Sequence, residues 1–584
     1  MNREPASSLL IFDFKDKHGH SQRRTFRNPV DVISVRSVEE VYPALREIQR
    51  LVNQGYFAAG YLSYEAAPAF DPAYMVLPKH KMPLLWFGIF TEPDNGADLI
   101  FENNFTIAPW ASDTSWDKYV DSIHKIKEAI SRGDTYQVNY TMRLRSYFEG
   151  DDLGYYHHLR TIQPTDYSAY LNIGRFRIVS MSPELFFTMD KKSIRTRPMK
   201  GTVHRGRWLE EDEKLASWLS KSEKNRAENV MIVDLLRNDL SRIPGVTSVQ
   251  VPQLFEIESY PTVHQMTSTV TAAIREDTTF IDVLHALFPS GSITGAPKIN
   301  TMRIISQLEL NSREIYCGTI GIIEPNGDAM FNVAIRSVLI DRKTGFAEYG
   351  VGGGITWDST ADGEYAEALT KATLLKAADV PFDLLETLKW EHGEYILLQR
   401  HLNRLASSAI FFGIPINLEV ITDKLHDHAE RFEEMTRRVR LLVSQTGEVR
   451  VESTALHELS HDVQTVALAK SPISKKNQFI YHKTSYRDVY QQHQDEHPTV
   501  FDTLLWNEDG QITEFTNGNI VLEIDGHQVT PSRECGLLAG TFRAELLDRG
   551  IVEEEVIIQA DIKRATNVWF INSVRGWVPV QFEE

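Results

Sequence analysis

Near residue 380 the sequence changes character. A charged segment with helical spacing, 364–378, runs into Asp379-Val380-Pro381, and a strand-like run over 382–390 follows, then a His392-Gly393 turn and another strand. Proline has no amide hydrogen and pushes the residue before it out of helical dihedrals, so a helix has to stop there and a new unit begin. For a chain of 584 residues, roughly 150 residues per domain allows three or four domain-sized units or two large modules. No Gly/Ser- or Pro-rich linker and no short repeat offers another dividing point.

Before this seam, runs rich in Val, Ile, Phe and Tyr are interrupted by helical periodicity at 38–54, 116–132, 208–221, 225–243, 279–287, 296–308 and 361–378. Strands and helices do not alternate strictly, which predicts an α+β fold of layered antiparallel sheets and not a doubly wound parallel sheet. Residues 382–584 mix strands with a few helices and predict a second, smaller α+β unit. The hydrophobic share of 42% and charged share of 24% exclude a disordered or fibrous chain. A net charge of −18 without a basic stripe argues against nucleic-acid and anionic-membrane partners. Apolar runs such as 82–90 fall short of the roughly 20 residues that cross a bilayer. The opening 1–17 carries acidic residues in and after its apolar run, unlike a signal peptide. Two cysteines, Cys317 and Cys535, cannot build a disulfide framework, a cysteine zinc site or an iron–sulfur cluster. The cytoplasm is the expected location.

Several segments between 130 and 375 are too polar and too glycine-rich to serve packing alone. Glu364, Glu367 and Lys371 follow i, i+3, i+7, so one helix face carries all three. Glu228 opens a second amphipathic helix. Carboxylates from two helices, with room for water, suit Mg²⁺, which prefers oxygen ligands and keeps several waters. The glycines at 291–295 and 350–354 would let backbone amides approach a small anion, and Arg336 and Lys371 are candidates for holding carboxylates. Singly, each feature has a plainer reading: two glutamates three apart mark a solvated helix face, and a lysine before glycine marks a surface turn. Residues 291–298 are not a Walker loop, because Ala-Pro separates Gly295 from Lys298, and 350–354 does not spell G-x-G-x-x-G.

Taken in order, Gln137, Ser182-Pro183-Glu184, Pro198-Met199-Lys200-Gly201-Thr202, Glu228, His285, the 289–298 segment, Tyr316, Arg336, the 350–354 glycines and Glu364 to Lys371 resemble the chorismate-utilising enzymes. These comprise anthranilate synthase component I, aminodeoxychorismate synthase component I, isochorismate synthase and salicylate synthase. The resemblance covers 111–379 as a catalytic domain and extends more weakly over 1–110, where Gly60-Tyr-Leu-Ser-Tyr-Glu65 fits the amino-terminal part of the same module. It implies Mg²⁺ between Glu228 and Glu367, with Glu364 nearby, and substrate held by Gln137, Thr202, Tyr316, Arg336, Gly352, Gly353, Gly354 and Lys371. It further implies that His285 assists departure of the C4 hydroxyl and that Glu184 is the general acid/base. Members that add water carry a lysine base where this chain has Gln137, and an amide cannot deprotonate water. Anthranilate synthases carry a small residue where this chain has Lys200. In the aminodeoxychorismate branch a lysine there attacks C2 and expels the C4 hydroxyl, and ammonia entering at C4 displaces it, nucleophilic catalysis by an amine of lowered pKa. Met199 stands where isoleucine is usual.

After the seam come Glu386, Arg400-His401-Leu-Asn-Arg404, His482-Lys483, Glu514, Asn519-Ile520 and Gly540-Thr541. Singly, these read as surface charges and an exposed helix face. In order they resemble the fold-type IV pyridoxal phosphate enzymes, which include aminodeoxychorismate lyase, branched-chain aminotransferase and D-amino-acid aminotransferase. The resemblance spans 382–584 and implies Lys483 as the cofactor lysine, Glu514 as partner of the pyridine nitrogen, and Arg404, Asn519, Ile520 and Thr541 as phosphate contacts. Little precedes Phe382 that could supply the usual first strand.

The fusion decides among these activities, because a lyase would consume what the first module makes. Together the resemblances imply Mg²⁺-dependent amination of chorismate at C4 to 4-amino-4-deoxychorismate, then pyridoxal phosphate-dependent loss of pyruvate to give 4-aminobenzoate for folate. Neither cysteine sits in a glutaminase setting, so ammonia is expected from a separate glutamine amidotransferase subunit. The rivals are an anthranilate synthase component I joined to an aminotransferase-like domain, and a chain in which one half has become a scaffold or ligand sensor. Ser63, Glu65, His157 and His158 are read as structural.

Overall fold

The computed structural model describes residues 8–583 apart from 17–18, 95–98, 377–379, 433–434, 458 and 460–461. Strand Leu9–Lys15 opens on a continuous apolar run and buries both faces of its centre, as a strand does when sheets or helices cover both sides. Phe12 packs edge-on against Phe14 and Phe26, with centroids 5.5 and 6.0 Å apart. Each such ring contributes roughly 1.5–3 kcal/mol by leaving water.

The described residues divide into two units: 1–204 with 216–379, and 205–215 with 380–584. In the first, two ten-stranded sheets form, and every strand pair in them is antiparallel. Leu10, Phe12, Phe26, Tyr61, Phe90, Leu171 and Ile320 join their facing sides in one core. Helices Val38–Val52 and Phe280–Leu287 cover the outer side of one sheet, and Trp116–Ser131 and Lys298–Leu308 that of the other. This is the layered α+β arrangement expected. In the second unit a four-stranded sheet containing Leu384–Glu391 and Arg437–Val443 packs under helices Leu398–Phe412 and Leu418–Ala429. A mixed eight-stranded sheet carries the remainder. Leu384–Glu391 is the strand expected over 382–390.

Helices form close to the expected positions, with two differences. The 361–378 helix stops at Lys371 and continues as one tight turn, Thr373–Lys376; its expected end at Asp379 lies outside the described residues. A helix at Asp152–Ile162 was not expected, because Tyr155-Tyr156-His157-His158 is a poor helix signal. Burial of Tyr155 and Tyr156 and the Asp151 cap, which accepts the Leu153 amide at 3.0 Å, override that weak propensity. No helix among the described residues is long and apolar enough to cross a membrane.

Candidate active sites

In the first unit a cavity of about 160 Å³ opens where four elements converge: strands Met199–His204 and Phe346–Ile355, and helices Glu223–Ser241 and Ala361–Lys371. Lys200 enters it from a bulge. Met199 pairs with Thr267 and Thr202 with Gln265, so Lys200 and Gly201 together oppose one residue, and Gly201 takes φ 97°. A bulge of this kind re-aims a side chain out of the ladder. Thr360 caps the second helix by accepting the Gly363 amide at 3.2 Å, which aims Glu364, Glu367 and Lys371 together into the cavity. The glycines opposite leave the space: a Cβ on Gly353 would stand 3.1 Å from Glu364 Oε2 and 3.7 Å from Lys371 Nζ, and one on Gly354 2.5 Å from Lys200 Nζ.

The electrostatics are those of a site built for charge. Burial pushes Glu184 up to about 7 although Ser292 Oγ donates to it at 2.6 Å. Burial also raises Glu228 and Glu364, whereas the ammonium of Lys371, 2.8 Å from Glu367, lowers Glu367. Desolvation lowers Lys200, against the pull of Glu228, Glu367 and Glu184. Arg336 Nη1 and both amide atoms of Gln137 are buried without a hydrogen-bond partner among the described residues, although such groups ordinarily find one. These orphans and the carboxylate cluster fit an anionic ligand bound with a divalent cation. Among the described residues no group of three His, Cys, Asp or Glu side chains is placed to hold a metal ion.

Thr202, Tyr316, Arg336, Gly352, Gly353, Gly354, Lys371, Glu228, Glu364, Glu367, Glu184 and Lys200 all line this cavity. Gln137 stands just behind Gly354. His285 is a correction. Its helix buries Val283, Leu284, Ala286 and Leu287 and turns His285 to solvent, where Nδ1 bonds the Tyr42 hydroxyl at 2.6 Å. It does not line the cavity and cannot assist a leaving hydroxyl there. In the 291–295 segment, Ser292 and Ile293 reach the cavity and the glycines do not. Lys298 is buried in an ion pair with Asp239 at 3.1 Å. Asn139, Lys224, Asn225 and Tyr349 are lining residues that the sequence did not single out. Glu65 accepts the amides of Arg313 and Glu314 at 2.7 and 2.8 Å, and Ser63 Oγ donates to the Leu84 carbonyl at 3.1 Å.

The second unit holds a cavity of about 390 Å³. Lys483 is fixed by its own backbone, whose carbonyl accepts the Leu385 amide at 2.9 Å. Desolvation, aided by Arg404 and Arg487, lowers its amine to about 8. Burial raises Glu514 to about 8, and it accepts from Tyr490 Oη at 2.8 Å and the Leu538 amide at 3.1 Å. Arg404 grips Glu386 with Nε and Nη2 at 2.8 and 2.6 Å. Burial alone would raise Glu386, but Arg404 and His401 outweigh it and hold it at about 2. Thr541 opens a helix behind Gly540, and exposed amides at a helix start favour phosphate. Arg404, Asn519 and Thr541 line the cavity, whereas the Ile520 side chain lies in the core of the large sheet. A lysine amine, a carboxyl poised near neutrality and a helix start in one cavity fit pyridoxal phosphate. Arg438, Arg440, Arg487, Tyr490 and Arg575 line the same space. Arg487 belongs to the 482–487 segment that carries Lys483, but no single-sequence motif marks Arg438, Arg440, Tyr490 or Arg575, because separate elements bring them together.

A family model described as chorismate binding enzyme matches residues 11–377, and one described as amino-transferase class IV matches 383–581. Aminodeoxychorismate synthase component 1 of Escherichia coli is 39% identical over 271 residues, 46% of this chain and 59% of that protein. Anthranilate synthase component 1 of Aquifex aeolicus is 38% identical over 272 residues, 46% of this chain and 55% of that protein. The chain thus spans less than two thirds of the curated relatives it matches. A crystal structure of anthranilate synthase component I from Streptococcus pneumoniae aligns over 64% of this chain and 93% of that one, with TM-score 0.50 and 24% identity.

Proposed function

Because the chain belongs to the chorismate binding enzyme family, we propose that its first unit aminates chorismate at C4 and its second releases pyruvate from the product, yielding 4-aminobenzoate for folate. The observation that carries this reading is Lys200. Its desolvated amine sits in the same cavity as Glu184, Glu228 and Glu367, where a substrate ring would meet it. The Lys200 amine forms a bond to C2 as the C4 hydroxyl leaves, taking a proton from Glu184, which burial holds at about 7. Ammonia then bonds to C4, the C2–nitrogen bond breaks, and the excess proton returns to Glu184. Arg336 and Lys371 hold the substrate carboxylates, and Gln137, unable to activate water, leaves C4 to ammonia. Mg²⁺ bound by Glu228 and Glu367, with Glu364 beside them, would neutralise the ring carboxylate and order it.

In the second unit, pyridoxal phosphate held by Lys483, Glu514, Arg404, Asn519 and Thr541 would supply an electron sink. Lys483, with its amine lowered to about 8, takes and returns protons as pyruvate departs and the ring becomes aromatic. Arg438, Arg440 and Arg575 support a dicarboxylate ligand in this cavity. Both cysteines are buried, and desolvation lifts Cys317 to about 11. Neither is a glutaminase nucleophile, so ammonia comes from a separate glutamine amidotransferase. Two buried unpaired thiols suit the reducing cytoplasm.

The Aquifex relative favours a second reading, amination at C2 to give 2-aminobenzoate. Incubation with chorismate, Mg²⁺ and ammonia, followed by mass and retention of the aromatic product, separates the two. Exclusive 2-aminobenzoate would overturn the proposal.

A further inference from the structure

Unit 2 includes Arg205–Leu215, a segment from the middle of the stretch matched to the chorismate binding enzymes. Its Trp208 is 8% exposed and shares one apolar cluster with Ile480, Tyr481, Tyr490 and Leu505. Its ring lies 5.1 Å from that of Tyr481, with the guanidinium groups of Arg207 and Arg533 at 4.6 and 4.7 Å. Cation–π contacts of this kind strengthen when water is excluded. Trp208 thus packs on Tyr481, two residues before Lys483, in the apolar cluster that also holds Tyr490, the tyrosine that donates to Glu514.

A second link acts through the backbone. His482 Nε2 lies 3.1 Å from the Arg207 carbonyl, and Nδ1 lies 2.9 Å from Ser408 Oγ. A carbonyl only accepts, so Nε2 carries the hydrogen and Nδ1 accepts from the serine. Burial drives His482 down to about 3, keeping the ring neutral and this arrangement fixed. Arg207 Nη1 also donates to Tyr481 Oη at 3.1 Å, and Arg205 Nη2 to the Phe411 carbonyl at 2.9 Å. Tyr481 and His482 are thus clamped from one side, while Leu385 holds the Lys483 carbonyl from the other.

We infer that Arg205–Leu215 is a positioning element for the second cavity: Trp208 and the Arg207 carbonyl hold the backbone that aims Lys483 and the cluster that aims Tyr490 at Glu514. This rests on Lys483 being the cofactor lysine. The charged groups facing the amine are Arg404, Arg487, Glu386 and Glu514, and displacement of the lysine toward solvent would restore its hydration and its ordinary pKa.

The test uses the full chain freed of cofactor, in wild-type, Trp208→Ala and Trp208→Phe forms shown by circular dichroism to be folded. Pulsed acetylation read by mass spectrometry gives the titration of Lys483 itself. The expected wild-type titration is near 8; Trp208→Ala should move it up by a unit or more, which would cut labelling at neutral pH about tenfold, and Trp208→Phe should restore most of the wild-type behaviour. An unchanged Lys483 titration in folded Trp208→Ala overturns the inference. Should that variant not fold, His482→Phe, which keeps the ring against Phe411 and removes both hydrogen bonds, takes its place with the same two outcomes. A separate measurement, the visible absorbance of wild-type chain with pyridoxal phosphate and its loss in Lys483→Ala, tests the cofactor reading alone. Amine titration decides the positioning role whichever way that result falls.

Discussion

Each unit places a desolvated lysine in a cavity, and the neighbours do opposite things. Around Lys200, Glu228, Glu367 and Glu184 pull its pKa back up against desolvation, with only Lys371 helping to lower it. Around Lys483, Arg404 and Arg487 add to desolvation, and Glu386 and Glu514 oppose it. In the first cavity the carboxylates of the wall oppose the lowering of the lysine, whereas in the second the arginines of the wall add to it. One residue type is tuned by two surroundings.

The largest expected effects break this comparison in half. Lys200→Ala should cut C4 amination to below about 1%, a loss of roughly 2.7 kcal/mol in barrier stabilisation, while supplied 4-amino-4-deoxychorismate is still converted. Lys483→Ala should do the reverse, and mixing the two variants should restore 4-aminobenzoate in a coupled assay. Next, Glu184→Gln should slow amination about 10²-fold, the lower end for loss of an acid/base group. As Glu184 acts in its protonated form, the wild-type rate should fall as pH rises through about 7, and the variant's pH profile should lack that limb.

Glu386→Gln sharpens the contrast from the side of stability. It leaves the Arg404 guanidinium unpaired, and loss of one partner of a buried pair costs about 3–5 kcal/mol, visible as an earlier denaturant transition of unit 2. Glu386 is held at about 2 in the folded chain, below its unfolded value. Its contribution is therefore complete above the unfolded pKa and is lost as pH falls toward 2, which a pH series of wild type and variant checks. Smallest is Ser359→Ala. Ser359 Oγ donates to Glu364 at 2.6 Å, and its removal should weaken Mg²⁺ dependence of amination about tenfold, measured by metal titration of the rate.

The local features were readable because they depend on spacing alone. Glu364, Glu367 and Lys371 share a face through helix geometry, and the 350–354 glycines reveal close approach through their missing Cβ atoms. His285 misled because motif order does not say which side of a helix meets the core, and here Tyr42 claims it on the solvent side. Arg438, Arg440, Tyr490 and Arg575 escaped notice because each is an ordinary strand, helix or loop residue until the fold gathers them.

From residue order alone came the antiparallel α+β layering, the change of unit near 380 and most of the chemistry-bearing side chains, since periodicity, proline stops and motif order are properties of neighbouring residues. Only the folded chain decided that Lys200 leaves its strand on a bulge, that His285 faces water, and that Arg205–Leu215 belongs with the second unit. Those outcomes depend on which distant surfaces exclude water together, and no local pattern of residues records that.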